Sequence, residues 1–117
     1  MTIPLTPETL AAAWDYLCTI PPMSEWGLLP SEDITFRVIK TPRVYGQMSY
    51  NKRGYLIEIS SAKCGRHDTI LSTLCHEAIH MFMHTSCFMD RRNYHDKAFH
   101  LLADEAAAIH EFDRKVF

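Results

Sequence analysis

The sequence lacks three features that would place the chain in a specialised class of protein. It has no apolar run of about 18 residues, which argues against a membrane-spanning helix. Its first residues, MTIPLTPETL, lack the basic and then apolar order of a secretory signal, so we predict a cytoplasmic protein. Its four cysteines form no CxxC pair, which argues against a zinc ribbon or redox motif and is typical of reduced, mostly buried thiols.

Basic residues are absent from the first 36 positions, which carry five acidic side chains. The next segment, residues 37–66, has one acidic residue, Glu58, although the net charge of the whole chain is -2. Its basic residues are Arg37, Lys40, Arg43, Lys52, Arg53, Lys63 and Arg66. Such a block is typical of the solvated surface of a sheet, and the alternative is a docking face for a polyanion.

Length and composition predict one globular domain over residues 1–117, with 47% hydrophobic and 22% charged residues. The first helix is predicted to begin with Thr6 as its N-cap and Pro7 at the first helical position. It would continue to the proline pair Pro21–Pro22, which ends it. Its apolar stripe consists of Leu10, Ala11, Trp14, Leu17 and Cys18.

The remaining pattern predicts three strands and then two helices. The turn NKRG between the second and third strands contains Gly54, which is free to adopt positive φ. Asp68 is the predicted N-cap of the first of these helices. This order predicts an α+β domain with a three-stranded antiparallel meander. The predicted ranges are Ile34–Lys40, Val44–Tyr50 and Tyr55–Ser60 for the strands, and Asp68–His84 and Tyr94–Asp113 for the helices.

The stretch LCHEAIHMFMH places His76 and His80 one helical turn apart, with Glu77 between them. Both imidazoles point away from the apolar stripe of their helix, so they can converge on one ion. Zinc suits two imidazole ligands, and Glu77 would act as the general base that moves a proton from the attacking water to the leaving amine. The alternative is a pair of exposed helix histidines without a metal.

A hydrolytic zinc site usually has three protein ligands. The downstream candidates for the third are His84, His95, His100, Glu105 and His110. We predict His95 as the third, because it shares a helical stripe with Phe99 and lies after a segment long enough for the chain to reverse. Glu105 is an alternative ligand, and His95 is alternatively a core histidine without metal. His84 lies too far along the helix to share the ion with both His76 and His80, and we expect it at the surface.

These residues resemble the SprT-like (Spartan-type) zinc metalloprotease domains. The resemblance rests on LCHEAIHMF followed by RNYHDKAF, and it extends to LLP and to the hairpin YGQMSYNKRGYLIEIS. In that family a third histidine follows the HExxH helix, often in a GHGxxF-type segment, which His95 and Phe99 match. Tyr94 and Asp96 stand where glycines are common.

The resemblance implies a zincin-like fold and a zinc metalloendopeptidase, with His76, His80 and His95 as zinc ligands and Glu77 as the catalytic residue. Larger family members carry a C-terminal zinc ribbon or other DNA-targeting segments, for which this sequence has no cysteine pairs. DNA binding through residues 37–66 would replace them, with lysines and arginines on phosphates. Tyr45, Tyr50 and Tyr55 would stack on bases or else pack within the meander.

The sequence therefore predicts a minimal zinc metallopeptidase that acts on protein substrates. An extended substrate is expected to pair with the strand Tyr55–Ser60. Two alternatives stay open. One is a non-catalytic zinc-binding adaptor or inhibitor that acts by protein binding, and the other is a zinc hydrolase that acts on a substrate other than a protein.

Overall fold

The computed structural model describes residues 5–64, 67–85 and 97–110. They form an α+β fold, as predicted, in which two short 3-10 turns separate the first helix from a three-stranded sheet. Two further helices follow the sheet. The bounds are α1 Pro7–Leu17, β1 Ile34–Ile39, β2 Gly46–Asn51, β3 Gly54–Ser60, α2 His67–Thr85 and α3 Lys97–His110.

Helix α1 begins where the sequence predicts. Thr6 is extended (φ -133°), and its hydroxyl accepts a hydrogen bond from the backbone N–H of Thr9 at 3.1 Å. The hydroxyl of Thr9 in turn accepts from the backbone N–H of Thr6 at 3.0 Å, so two N–H groups at the helix start are satisfied. The side chains of Leu10, Trp14 and Leu17 are buried and attach α1 to the core.

The sheet is mixed, so the prediction of a purely antiparallel meander is wrong. Its strand order is β1-β3-β2, with β3 parallel to β1 and antiparallel to β2. Strand β3 holds the central position and is the most buried of the three, with Tyr55, Ile57 and Ile59 all in the core. Strand β2 is more polar and mostly exposed, which suits an edge.

A central β3 requires the connection between β1 and β2 to cross the end of β3. The backbone N–H of Ser60 donates to the carbonyl of Tyr45 at 2.8 Å, and that of Ser61 donates to the carbonyl of Ile39 at 2.7 Å. The hydroxyl of Ser60 also donates to the carbonyl of Thr41. These bonds fix the crossing segment against the carboxyl end of β3.

The hairpin between β2 and β3 turns at the predicted place. Gly54 has φ +108°, a conformation that side chains with Cβ rarely adopt. The side-chain oxygen of Asn51 accepts a hydrogen bond from the backbone N–H of Arg53 at 2.8 Å, which closes the turn. The turn therefore sets the register in which Tyr50 lies opposite Tyr55.

Helix α2 packs between the sheet and α3. It contributes buried residues to the main core, such as Leu74 and Ala78, and to a smaller cluster in which Ile79 and Met83 meet α3. Trp26 is partly buried and packs against both clusters. The metal-motif helix is therefore held on two sides by apolar contacts.

Helices α2 and α3 differ from the sequence prediction in where their described residues begin. Helix α2 begins at His67, so Asp68 lies in its first turn and is not the N-cap that the sequence suggested. The predicted start of the last helix, Tyr94, lies outside the described residues, as does its predicted end at Asp113.

Candidate metal centre

Helix α2 brings the two histidines of the motif together. The Nε2 atoms of His76 and His80 are 3.1 Å apart, and both side chains are partly buried. Two imidazole nitrogens bound to one tetrahedral zinc ion at ~2.0–2.1 Å stand ~3.3 Å apart. The two nitrogens therefore already lie close to the separation that one shared ion requires.

Glu77 completes this group. Its carboxylate and the two imidazoles offer three ligand atoms that all lie within 4.8 Å of one another, and in the described part of the chain these residues are the group identified as able to hold a metal ion. The Glu77 side chain is only 2% exposed. Burial away from water raises the pKa of Glu77 to about 8, because the charged carboxylate loses its hydration.

Phe99, on α3, covers both imidazoles. Its ring centroid lies 4.9 Å from that of His80 in a stacked arrangement and 4.8 Å from that of His76 in an edge-on arrangement. Phe99 is 2% exposed, so this ring closes one side of the centre against water. The sequence matched Phe99 to a family motif, but its contact with the histidines follows only from how α3 packs on α2.

The structure separates the other candidates for a third ligand. His95, the predicted ligand, lies outside the described residues, so its role stays a prediction. Glu105 and His100 are exposed on α3 and do not belong to the group around Glu77. His110 lies at the end of α3, with its Nε2 atom 3.0 Å from the carbonyl oxygen of Pro21.

His84 is not a simple surface residue as expected from the sequence. It is partly buried, and its Nδ1 atom lies 2.6 Å from the hydroxyl of Tyr55. The rings of Tyr50, Tyr55 and His84 form a cluster with centroid separations of 4.7 to 5.5 Å. Sequence reasoning missed this cluster because Tyr55 and His84 are 29 positions apart and no local pattern links them.

Apart from Arg37, the described part of the basic block divides between the two ends of the sheet, and Arg66 lies outside the described residues. Lys40, Arg43 and Lys63, which we call the loop-end cations, are exposed around the carboxyl end of β3. Lys52 and Arg53 are exposed in the hairpin turn at its opposite end. A strand of this length separates the two groups by about 20 Å.

Arg37 belongs to neither group. Its guanidinium lies 3.7 Å from the carboxylate of Glu58 on the neighbouring strand, and the amide of Gln47 donates to the same carboxylate at 2.9 Å. The middle of this sheet surface is therefore locally neutralised. None of the helices in the described ranges is both long and apolar enough to cross a membrane.

The sequence matches a protein-family model, that of the SprT-like family, over residues 24–116. The matched segment begins after α1 and includes the whole sheet, the metal-motif helix α2 and α3. Searches of curated proteins and of solved structures return no match. Because the family model covers most of the chain, including the centre at His76, Glu77 and His80, this protein belongs to the SprT-like family.

Proposed function

We propose that the protein is a zinc-dependent metalloendopeptidase. The observation that carries this proposal is the 3.1 Å separation of the Nε2 atoms of His76 and His80 beside the buried carboxyl group of Glu77. A purely structural zinc site uses four protein ligands and needs no buried acid beside it. Membership of a metallopeptidase-like family supports the same conclusion.

His76, His80 and His95 would hold the zinc ion. Imidazole nitrogen is a preferred zinc ligand, and three protein ligands leave one position open, as hydrolysis requires. Phe99 brings the first turn of α3 against both described imidazoles, and His95 precedes Phe99 by four residues in the sequence. When bound, zinc would supply a Lewis acid that polarises the peptide carbonyl.

Glu77 would be the general base. Its carboxylate would take a proton from the attacking water and deliver it to the leaving amine. A general base works best when its pKa lies near the working pH. Burial raises the pKa of Glu77 to about 8, which brings it close to neutral pH. The positive charge of a zinc ion held by the neighbouring histidines would favour the ionised carboxylate that this role requires.

The substrate would lie extended beside β2. The sequence suggested pairing with β3, but β3 is the central strand and both of its edges are occupied, by β1 and β2. Strand β2 has a free edge in the described sheet and packs against α2. An added peptide strand there would lie beside the helix that carries Glu77.

The test compares Glu77→Gln with Glu105→Gln, an exposed glutamate on α3. We expect Glu77→Gln to keep zinc and to lose about 10²- to 10⁴-fold in the rate of casein hydrolysis, whereas Glu105→Gln keeps both. Loss of zinc in Glu105→Gln would make Glu105 the third ligand. For His95, the matched pair is His95→Ala, expected to lose zinc, and His100→Ala, expected to keep it.

Two outcomes would favour the alternatives. A zinc-loaded wild-type protein that hydrolyses no protein or peptide, but captures a protein partner equally well with Glu77→Gln, would be an adaptor or inhibitor. Hydrolysis of small amides or esters without hydrolysis of peptides would assign the centre to another substrate class. Either result would overturn the endopeptidase proposal.

We also propose that DNA binds at the loop-end cations. Lys40, Arg43 and Lys63 are exposed on two segments that backbone hydrogen bonds join, and Lys63 also lies over the ring of Tyr45, 4.8 Å from its centroid. Three phosphate contacts predict a slope of log K against log[salt] of about -2 for single-stranded DNA.

The triple variant Lys40→Ala/Arg43→Ala/Lys63→Ala should lose DNA binding. Lys52→Ala/Arg53→Ala is the control, and equal losses in both would contradict the assignment.

A cytoplasmic location is part of the same proposal. Cys18, Cys64 and Cys75 are free thiols, and the last two are buried. Free thiols are typical of reducing compartments. Fractionation of cells that express the tagged full chain tests this location.

A further inference from the structure

The rings of Tyr50, Tyr55 and His84 pack against one another, and we call them the hairpin-end cluster. Their planes are tilted against one another by 45° to 89°. The contact between the Tyr55 hydroxyl and Nδ1 of His84, at 2.6 Å, fixes the orientation of the imidazole. A hydroxyl that donates to Nδ1 leaves the ring proton on Nε2, which can then donate to a carbonyl or a carboxylate.

Tyr50 is unusually open for its position. It lies opposite the buried Tyr55 and two residues from the half-buried Met48, so it belongs to the face of the sheet that packs against the helices. Nevertheless 58% of Tyr50 is exposed. Among the described residues, the layer between sheet and helices is therefore not filled at this end of β2, and the Tyr50 ring offers an exposed surface.

The cluster continues the face of α2 that carries the metal motif. His84 is one turn beyond His80, and at 100° per residue Glu77, His80 and His84 lie within an arc of about 60°. The beginning of β2 also approaches α2, since a Cβ atom on Gly46 would lie 2.9 Å from the side chain of Thr73.

Strand β2 and helix α2 consequently run in the same direction. Gly46 lies near Thr73 and Tyr50 lies near His84, and these two steps span about 13 Å along the strand and about 16 Å along the helix. His80 lies between the two contacts on α2. A peptide extended along the edge of β2 would pass this part of the helix and reach the hairpin-end cluster.

We propose that the hairpin-end cluster is a subsite for an aromatic side chain of an extended peptide substrate. This inference rests on the peptidase function proposed above. Aromatic rings attract a further ring beyond simple burial when they can meet at a tilt or offset, as the exposed Tyr50 ring allows. Lys52 and Arg53 are exposed in the adjoining turn, so an acidic residue next to the aromatic one would be favoured.

A nucleic acid is the less favoured occupant of this subsite. A nucleobase can also stack on a tyrosine, and a phosphate can contact Lys52 or Arg53. The loop-end cations, however, lie at the other end of the sheet, about 20 Å away. The cluster is continuous with the metal-motif face of α2, where a peptide has to lie for the proposed reaction.

The test measures peptide binding separately from hydrolysis. Zinc-loaded full-length Glu77→Gln protein is titrated into fluorescein-labelled 12-residue peptides, in which a single Phe-Asp pair is moved along a Gly/Ser/Ala background. One position of the pair should tighten binding by about two- to tenfold over the peptide with Ala in place of Phe. That preference should vanish on adding Tyr50→Ala, remain with Tyr50→Phe, and remain with Tyr16→Ala, a control tyrosine of similar exposure on α1.

An aromatic preference that survives Tyr50→Ala, or no preference at any position, would overturn the subsite. Displacement of the peptide by a single-stranded oligonucleotide, lost with Tyr50→Ala, would assign the cluster to nucleic acid instead. Wild-type protein is assayed for cleavage of the same peptides. Tyr50-dependent binding without cleavage would refute the peptidase proposal and support the aromatic subsite. Cleavage without an aromatic preference would support the peptidase proposal and refute the subsite.

Discussion

The ring of Phe99 stacks on the imidazole of His80, with 4.9 Å between the centroids and 27° between the planes. The same ring meets His76 edge-on at 4.8 Å. One apolar side chain from α3 thus restricts the rotation of both histidines. Groups that orient metal ligands affect metal affinity although they do not touch the ion.

Phe99→Ala should weaken zinc binding by about tenfold or more, because both imidazoles gain rotational freedom and water reaches the centre. It should also lower the free energy of unfolding by about 3–5 kcal/mol. Phe99→Leu separates the two effects, since it keeps much of the buried volume and removes the stacked ring. Competition with a chromogenic chelator measures the affinity, and wild-type affinity in Phe99→Leu would show that the ring has no positioning role.

The metal-free protein should lose stability as pH rises, relative to Glu77→Gln. The folded pKa of Glu77, about 8, lies above the unfolded value of about 4.3, so between them the folded chain binds the extra proton. The free energy of unfolding then falls by up to about 1.4 kcal/mol per pH unit between these two pKa values. The stabilisation that comes from protonated Glu77 is fully present only below the unfolded pKa.

Urea denaturation of both proteins with a chelator present, at pH 5, 6, 7 and 8, measures this difference. The Gln side chain does not ionise, so the stability of Glu77→Gln relative to wild type should increase with each step. A constant difference across the series would mean that Glu77 ionises in the folded chain as readily as in water.

Gly46→Ala should destabilise the fold by about 1–3 kcal/mol through steric overlap. Its Cβ atom would lie 2.8 Å from the carbonyl oxygen of Glu58 and 2.9 Å from side-chain atoms of Ile59 and Thr73. Gly27→Ala is the contrast, because no atom of the described residues would lie within 4 Å of its Cβ atom, and its φ of +64° is the unfavourable feature there. Thermal unfolding of both variants checks the order, and a smaller cost at Gly46 would contradict the tight packing of β3 and α2 around this residue.

The described thiols should react slowly with iodoacetamide in the native protein. Burial raises the pKa of Cys75, which is fully buried, and burial followed by the charge of Asp15 raises the pKa of Cys18 to about 11. Thiolate is the reactive form, so little is present at neutral pH. Peptide mapping after alkylation, with and without urea, measures this protection; rapid native labelling of Cys75 would show that its packing opens readily.

The sequence by itself determined those features that depend on neighbouring positions. The Thr6 cap, the turn at Gly54 and the convergence of His76 and His80 each arise within about one helical or hairpin turn. Over such short separations the backbone geometry leaves few alternatives, so residue type and spacing are sufficient. The pairing of His76 and His80 could therefore be predicted from the sequence alone.

Only the tertiary structure decided the order of the strands, the ring that covers the histidines and the partner of His84. Strand order depends on which strand is most stabilised by burial between two neighbours. In this sheet β3 takes the central position between β1 and β2, although β2 precedes it in the sequence. Phe99 reaches His80 and Tyr55 reaches His84 because distant segments pack together, and the pKa of Glu77 rises for the same reason. Such contacts reflect competition among all possible packings of the chain, which no local pattern records.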